Sequence, residues 1–192
     1  MSNSSQNTVT HGCSVSLSAG YFTELQIWML IRDIISRMST AGQVAIEPKN
    51  VFISGNSFVL GKNTEASKEF SAPEQTGKNT SPTEAGKIWQ IGATAYYLFM
   101  GCSVFAGFGG MIQTADSEVP QMRKDLPLLS ETIAHCLAFD PANRPAAAEL
   151  LKTAETEIAR CKNNHAKRKL KSTGNHIISH SKATYWKEKM EE

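Results

Sequence analysis

Apolar residues recur at intervals of three and four from Ile27 through Trp28, Ile31, Ile34, Ile35 and Met38. That spacing predicts an amphipathic helix, with Arg32, Asp33, Ser36 and Arg37 on its other face. Thr23-x-x-Gln26 stands ahead of it in the form of a capping box. After Gly42 the period changes. Val51-Phe52-Ile53 and Ser57-Phe58-Val59-Leu60 are short β-prone runs around the turn signal Ser54-Gly55-Asn56, which predicts a hairpin. Residues 61–87 are polar and read as loop, with one compact feature, Phe70-Ser71-Ala72-Pro73-Glu74. Ile88 to Met100 is apolar almost throughout and too long for a strand. It predicts a helix buried on most sides, with Trp89, Gly92 and Tyr96 on one stripe, ended by the glycine-rich run 101–110. Two more helices are predicted, Leu128–Phe139 and Pro145–Arg160, with Pro145 in a first turn where a missing amide hydrogen costs nothing.

Composition sets the scale. The chain has 192 residues, 41% of them hydrophobic, enough for one core-bearing domain and an appendage. Residues 1–20 are rich in Ser, Asn, Thr and Gly and read as a disordered lead-in. No run of apolar residues is long enough to span a bilayer. The first ten residues lack the pattern of a secretory leader. Cys13, Cys102, Cys136 and Cys161 are scattered, as in a reduced chain, so a cytoplasmic location is expected. Net charge is +2 but uneven. Residues 1–151 carry 10 basic and 13 acidic side chains, a net −3; residues 152–192 carry 10 basic and 5 acidic, a net +5. The expected division is a lead-in over 1–20, a folded unit over 21–152 and a basic helical or disordered tail over 153–192.

Two signatures give the folded unit a resemblance. Ala72-Pro73-Glu74 precedes the buried Trp89-x-x-Gly92 helix, and Asp140-Pro141-Ala142-Asn143-Arg144-Pro145 follows it. In that order, over residues 15–152, the chain resembles the C-terminal lobe of the eukaryotic-type protein kinase family. The implied fold is mainly α: the helical C-lobe with one short β-hairpin, and no nucleotide-binding N-lobe, for which 192 residues leave too little chain. The resemblance implies that Glu74 pairs with Arg144, tying the Ala-Pro-Glu loop to the helical base. A planar guanidinium suits a carboxylate in a bidentate pair.

The same resemblance places the catalytic positions, and most hold unsuitable residues. Kinases carry H-R-D-x-K-x-x-N before the hairpin; aligned on Pro48 and Asn50, this chain has Ala45 at the catalytic aspartate and Glu47 at the lysine. A methyl group neither orients nor deprotonates a hydroxyl, and a carboxylate repels the γ-phosphate. Asn50 alone matches, as a possible magnesium ligand or, more simply, a turn residue. The metal-binding aspartate after the hairpin is replaced by Gly61, followed by Lys62. The aspartate that anchors the catalytic loop, two residues before the tryptophan, is Lys87, so nothing is expected to hold that loop in active geometry. Gly107-Phe108-Gly109-Gly110 has no strand before it and reads as a flexible connection rather than a phosphate cradle.

The tail carries Arg160, Lys162, Lys167, Arg168, Lys169 and Lys171 without interleaved aromatics. A solvated extension is the simpler reading; charge-driven binding of nucleic acid or an anionic membrane surface is the other. Cys161-x3-His165 and His176-x3-His180 have helical ligand spacing, but one thiolate with three imidazoles is unusual for structural zinc. Three functions are carried forward. The first is a truncated, catalytically inactive kinase-like lobe that binds a protein partner or oligomerises, with no cofactor. The second is a Ser/Thr-type protein kinase using ATP and magnesium, completed by a separate N-lobe. The third is tail-mediated binding over residues 160–171.

Overall fold

The computed structural model describes residues 22–40, 42–76, 83–120 and 122–167. The lead-in expected over 1–20 and the end of the tail from 168 lie outside the described residues, as do Cys13, His176 and His180.

Helix α1 spans Glu24–Met38. Its capping box forms: the Gln26 Nα–H donates to the Thr23 hydroxyl at 3.4 Å, and the Thr23 Nα–H donates to Gln26 Oε1 at 2.9 Å. Ile27, Trp28, Leu30, Ile31 and Ile34 are buried. Asp33, expected on the polar face, is buried with them. A 3-10 turn over Pro48–Asn50 leads into the antiparallel hairpin of β1 (Val51–Ser54) and β2 (Ser57–Leu60). Val51 faces Leu60 and Ser54 faces Ser57. Gly55, with φ of +60°, opens the two-residue turn, the position at which glycine is favoured in this type of hairpin.

Helix α2 spans Glu84–Met100, four residues longer at its start than predicted, because Thr83 caps it through the Gly86 amide. Gly101 ends it with φ of +82°. Gly92 lets it approach helix α3 (Pro127–Cys136) closely: a Cβ there would fall 2.7 Å from the Cys136 Cβ. Helix α4 covers residues 147–167. The Ala146 carbonyl accepts its first intrahelical bond, from Leu150, so Pro145 stands one residue outside the helix rather than in its first turn. Leu150, Ala154 and Ile158 of α4 belong to the core. The helix thus runs unbroken past residue 152, where the tail was expected to begin.

The glycine-rich run after α2 is a kinked turn over Val104–Gly107, with Phe105 and Ala106 in the left-handed region at φ of +50° and +53°, followed by a 3-10 turn over Gly109–Ile112. It is no loose connection. The Gly110 amide donates to the Ser71 carbonyl at 2.9 Å, and a Cβ on Gly110 would lie 2.2 Å from the Pro73 nitrogen. Gly109 has φ of +55°, and its Cβ would meet the Lys68 carbonyl at 2.4 Å. Only glycine fits either position.

Candidate functional site

Residues 43–50 form the loop between α1 and β1, which is held by hydrogen bonds at several points. Ala45 is buried. Its amide donates to the Asn63 carbonyl at 2.9 Å, and its carbonyl accepts from Asn50 Nδ2 at 2.7 Å. Ile46 is held on both sides by α2: its amide donates to Gln90 Oε1 at 3.1 Å, and its carbonyl accepts from the Thr94 hydroxyl at 3.1 Å. Gln90 Nε2 also donates to Gln75 Oε1 at 3.3 Å, which links this loop to the segment carrying Ala72-Pro73-Glu74.

Lys87 stands where the resemblance places an acidic anchor, and the loop is held by other groups. The Lys87 ammonium donates to the Gly42 carbonyl at the loop's entrance. Gln90 and Thr94, three and seven residues further along α2, take over the anchoring. Sequence reasoning missed both because polar residues inside an apolar stretch leave the periodic signal unchanged.

Asn50 is buried and both ends of its side-chain amide bond to backbone. Nδ2 donates to the carbonyls of Ala45 and Asn63, at 2.7 and 3.0 Å, and Oδ1 accepts from the Asn63 amide at 3.3 Å. The residue closes a loop. Gly61 sits against it. The Gly61 amide donates to the Asn50 carbonyl at 2.7 Å, and a Cβ on Gly61 would lie 2.3 Å from Asn50 Oδ1 and 2.7 Å from the Phe52 ring. Any side chain at position 61 would require the Asn50 amide or the Phe52 ring to shift.

Glu47 has a fully buried side chain. Its Oε2 accepts from the Ser67 amide at 3.1 Å and from the Ser67 hydroxyl. Its Oε1 makes no hydrogen bond, but the Lys49 ammonium lies 3.1 Å away, which supplies the compensating charge such a carboxylate needs. Glu47 is therefore a strut from the loop to residues 67–70. Burial, with the Glu47 charge nearby, pushes the Glu69 carboxyl above the usual range.

Glu74 and Arg144 meet as a bidentate pair, Nη1 to Oε1 at 2.7 Å and Nη2 to Oε2 at 2.9 Å. The Arg144 side chain is 0% exposed and Glu74 27%. Arg144 also donates to the carbonyls of Ala138, Ala85 and Phe139 at 2.8, 2.9 and 3.1 Å, so all five of its N–H groups are used. Trp89 is buried and donates to Gln113 Oε1 at 3.0 Å; Gln113 Nε2 in turn donates to the Leu137 carbonyl. Asp33 is a further buried anchor: Oδ2 accepts from the Phe58 amide at 2.8 Å and Oδ1 from Arg32 Nη2 at 2.6 Å, which pins β2 to α1.

The structure thus brings Ala45, Glu47, Asn50 and Gly61 together as one hydrogen-bonded knot. It sets Lys87 at the knot's edge and Glu74–Arg144 at the helical base. Among the described residues no group of three or more His, Cys, Asp or Glu side chains is placed to hold a metal ion. Cys161 and His165 of the zinc reading lie on α4, and the other two ligands lie outside the described residues. No described helix is long and apolar enough to cross a membrane.

No protein-family model matches the chain. It is 29% identical over 140 residues to "Serine/threonine-protein kinase ppk13" of Schizosaccharomyces pombe. The match takes in 66% of this chain and 40% of that protein, so the chain spans less than half the length of this relative. The similarity supports a kinase-like relation, and four described helices with a single two-stranded antiparallel sheet are compatible with a helical kinase C-lobe-like domain.

Proposed function

We propose that this chain is a kinase-like C-lobe that no longer transfers phosphate and acts by binding a protein partner. The observation that carries the reading is the state of the loop at 43–50. Phosphoryl transfer needs a base at the attacking hydroxyl, a cation at the γ-phosphate and carboxylate or amide oxygens facing magnesium. Here the corresponding places hold a buried methyl group, a buried carboxylate bound to Ser67 and an amide bonded at both ends to backbone. Each serves the loop's own cohesion. The apolar side chains of Phe108, Met111 and Ile112, each about half exposed, support the binding part of the reading, because clustered exposed apolar groups mark interaction surfaces.

The test is a thermal melt with and without ATP and magnesium. A ligand that binds only the folded state raises the melting temperature. No shift is expected at millimolar nucleotide; a magnesium-dependent rise of several degrees would overturn the reading. A kinase completed by a separate N-lobe would show such a rise only once that lobe is added, so the melt is repeated with any candidate lobe present.

A further inference from the structure

The charge division along the chain has a structural counterpart. A groove of about 780 Å³ lies between Glu118, Val119, Pro120 and Met122 on one side and Ser130, Glu131 and Ala134 of α3 on the other. Val119, Met122 and Ala134 make its apolar floor. The Ser130 hydroxyl is turned inward, bonded to the carbonyls of Arg123 and Leu126. Among the described residues, the charged groups lining the groove are the two exposed carboxylates, Glu118 and Glu131. Among the described residues neither makes a salt bridge. The nearest arginine in sequence, Arg123, is spent on Asp125 at 2.8 Å.

We infer that this groove receives the segment Arg168-Lys169-Leu170-Lys171, which follows α4 in the chain itself. The segment offers three cations around one leucine, the complement of two carboxylates around an apolar floor. It belongs to the stretch that carries +5 while residues 1–151, which build the groove, carry −3. Charge complementarity of this kind directs a cationic segment to one face and disfavours others. The inference stands apart from the loss of phosphate transfer and survives or fails on its own.

The test is carbodiimide coupling of the full chain, read by mass spectrometry. Amide links from Glu118 or Glu131 to Lys169 or Lys171 are expected at about 50 mM salt, falling several-fold by about 500 mM as screening grows. Mixing isotope-labelled and unlabelled protein tells links within one copy from links between copies; links within one copy are expected, and links only between copies would overturn the inference. Coupling of these lysines only to other carboxylates would overturn the inference.

A second measurement uses a fluorescent peptide of residues 166–172 and a full chain whose own segment is disabled by Lys169→Glu and Lys171→Glu. Adding Glu118→Gln and Glu131→Gln is expected to weaken peptide binding about tenfold or more, with an unchanged melting temperature, since both glutamates are exposed. Equal binding to both proteins, or binding of the peptide only to added RNA or anionic vesicles, would overturn it.

Discussion

Arg144 illustrates how one side chain fixes several segments. Its guanidinium joins Glu74 from the loop before α2, the Ala85 carbonyl from the first turn of α2, and the carbonyls that follow α3. Glu74→Ala leaves that buried cation without its counter-charge, so a loss of about 3–5 kcal/mol is expected in urea unfolding. Arg144→Lys is expected to be nearly as damaging, because an ammonium has three donors and no fork. A loss under about 1 kcal/mol in both would show that the pair is ornamental.

Cys136 supplies a pH signature. Burial against α2 pushes its thiol up to about 12, partly offset by the Arg144 charge. In the unfolded chain it ionises near 9. The folded state therefore keeps the proton longer, and stability is intact below pH 9 and lost as pH rises from 9 toward 12. The loss is at most about 1.4 kcal/mol per pH unit from this group. Cys136→Ala keeps the Cβ that Gly92 accommodates and is expected to flatten that part of the decline in the difference between the two proteins' stability–pH curves. Parallel curves above pH 9 would contradict the assignment.

Among the elements, helix periodicity was the legible part. The α1 stripe, its Thr23–Gln26 cap and the hairpin turn all rest on neighbours within four residues, where sequence spacing speaks directly. The misjudged boundaries have local causes. Glu84 to Lys87 is too polar to extend the apolar period, yet Thr83 caps it. Helix α3 stops at Cys136, before the predicted Phe139, because the Leu137 amide bonds back to three carbonyls and tightens the turn. Contacts between distant residues were less legible. Gly109 and Gly110 read as slack because their partners, Lys68 and Pro73, lie some forty residues earlier and no spacing announces them. The kinase motifs did name Glu74 with Arg144, since the two short signatures surrounding them carry that information. They gave no hint of Asp33, Gln90 or Thr94, each of which anchors a backbone atom of a distant segment, which no motif encodes.

The same elements yield a prediction about the loop. Gln90→Leu with Thr94→Val removes both α2 anchors from Ile46. Each lost buried partner costs about 1–3 kcal/mol, and the Ile46 amide is expected to gain fast hydrogen exchange. Unchanged protection at Ile46 would show that Asn50 and Glu47 hold the loop unaided.

For the molecule as a whole, residues that tie the loop at 43–50, the segment at 67–74 and the base at 138–144 into one body are well bonded. On the function proposed above, mechanical frame and chemistry have parted, and the side chain of Glu47 serves those ties in place of a phosphoryl-transfer role.

The most direct measurement is transfer of radiolabelled γ-phosphate from ATP to the chain or to a generic basic protein, at high protein concentration with magnesium. The account predicts incorporation no greater than in a blank without protein. Magnesium-dependent incorporation that rises linearly with protein and is abolished by Asn50→Ala, in a variant still folded by circular dichroism, would contradict it.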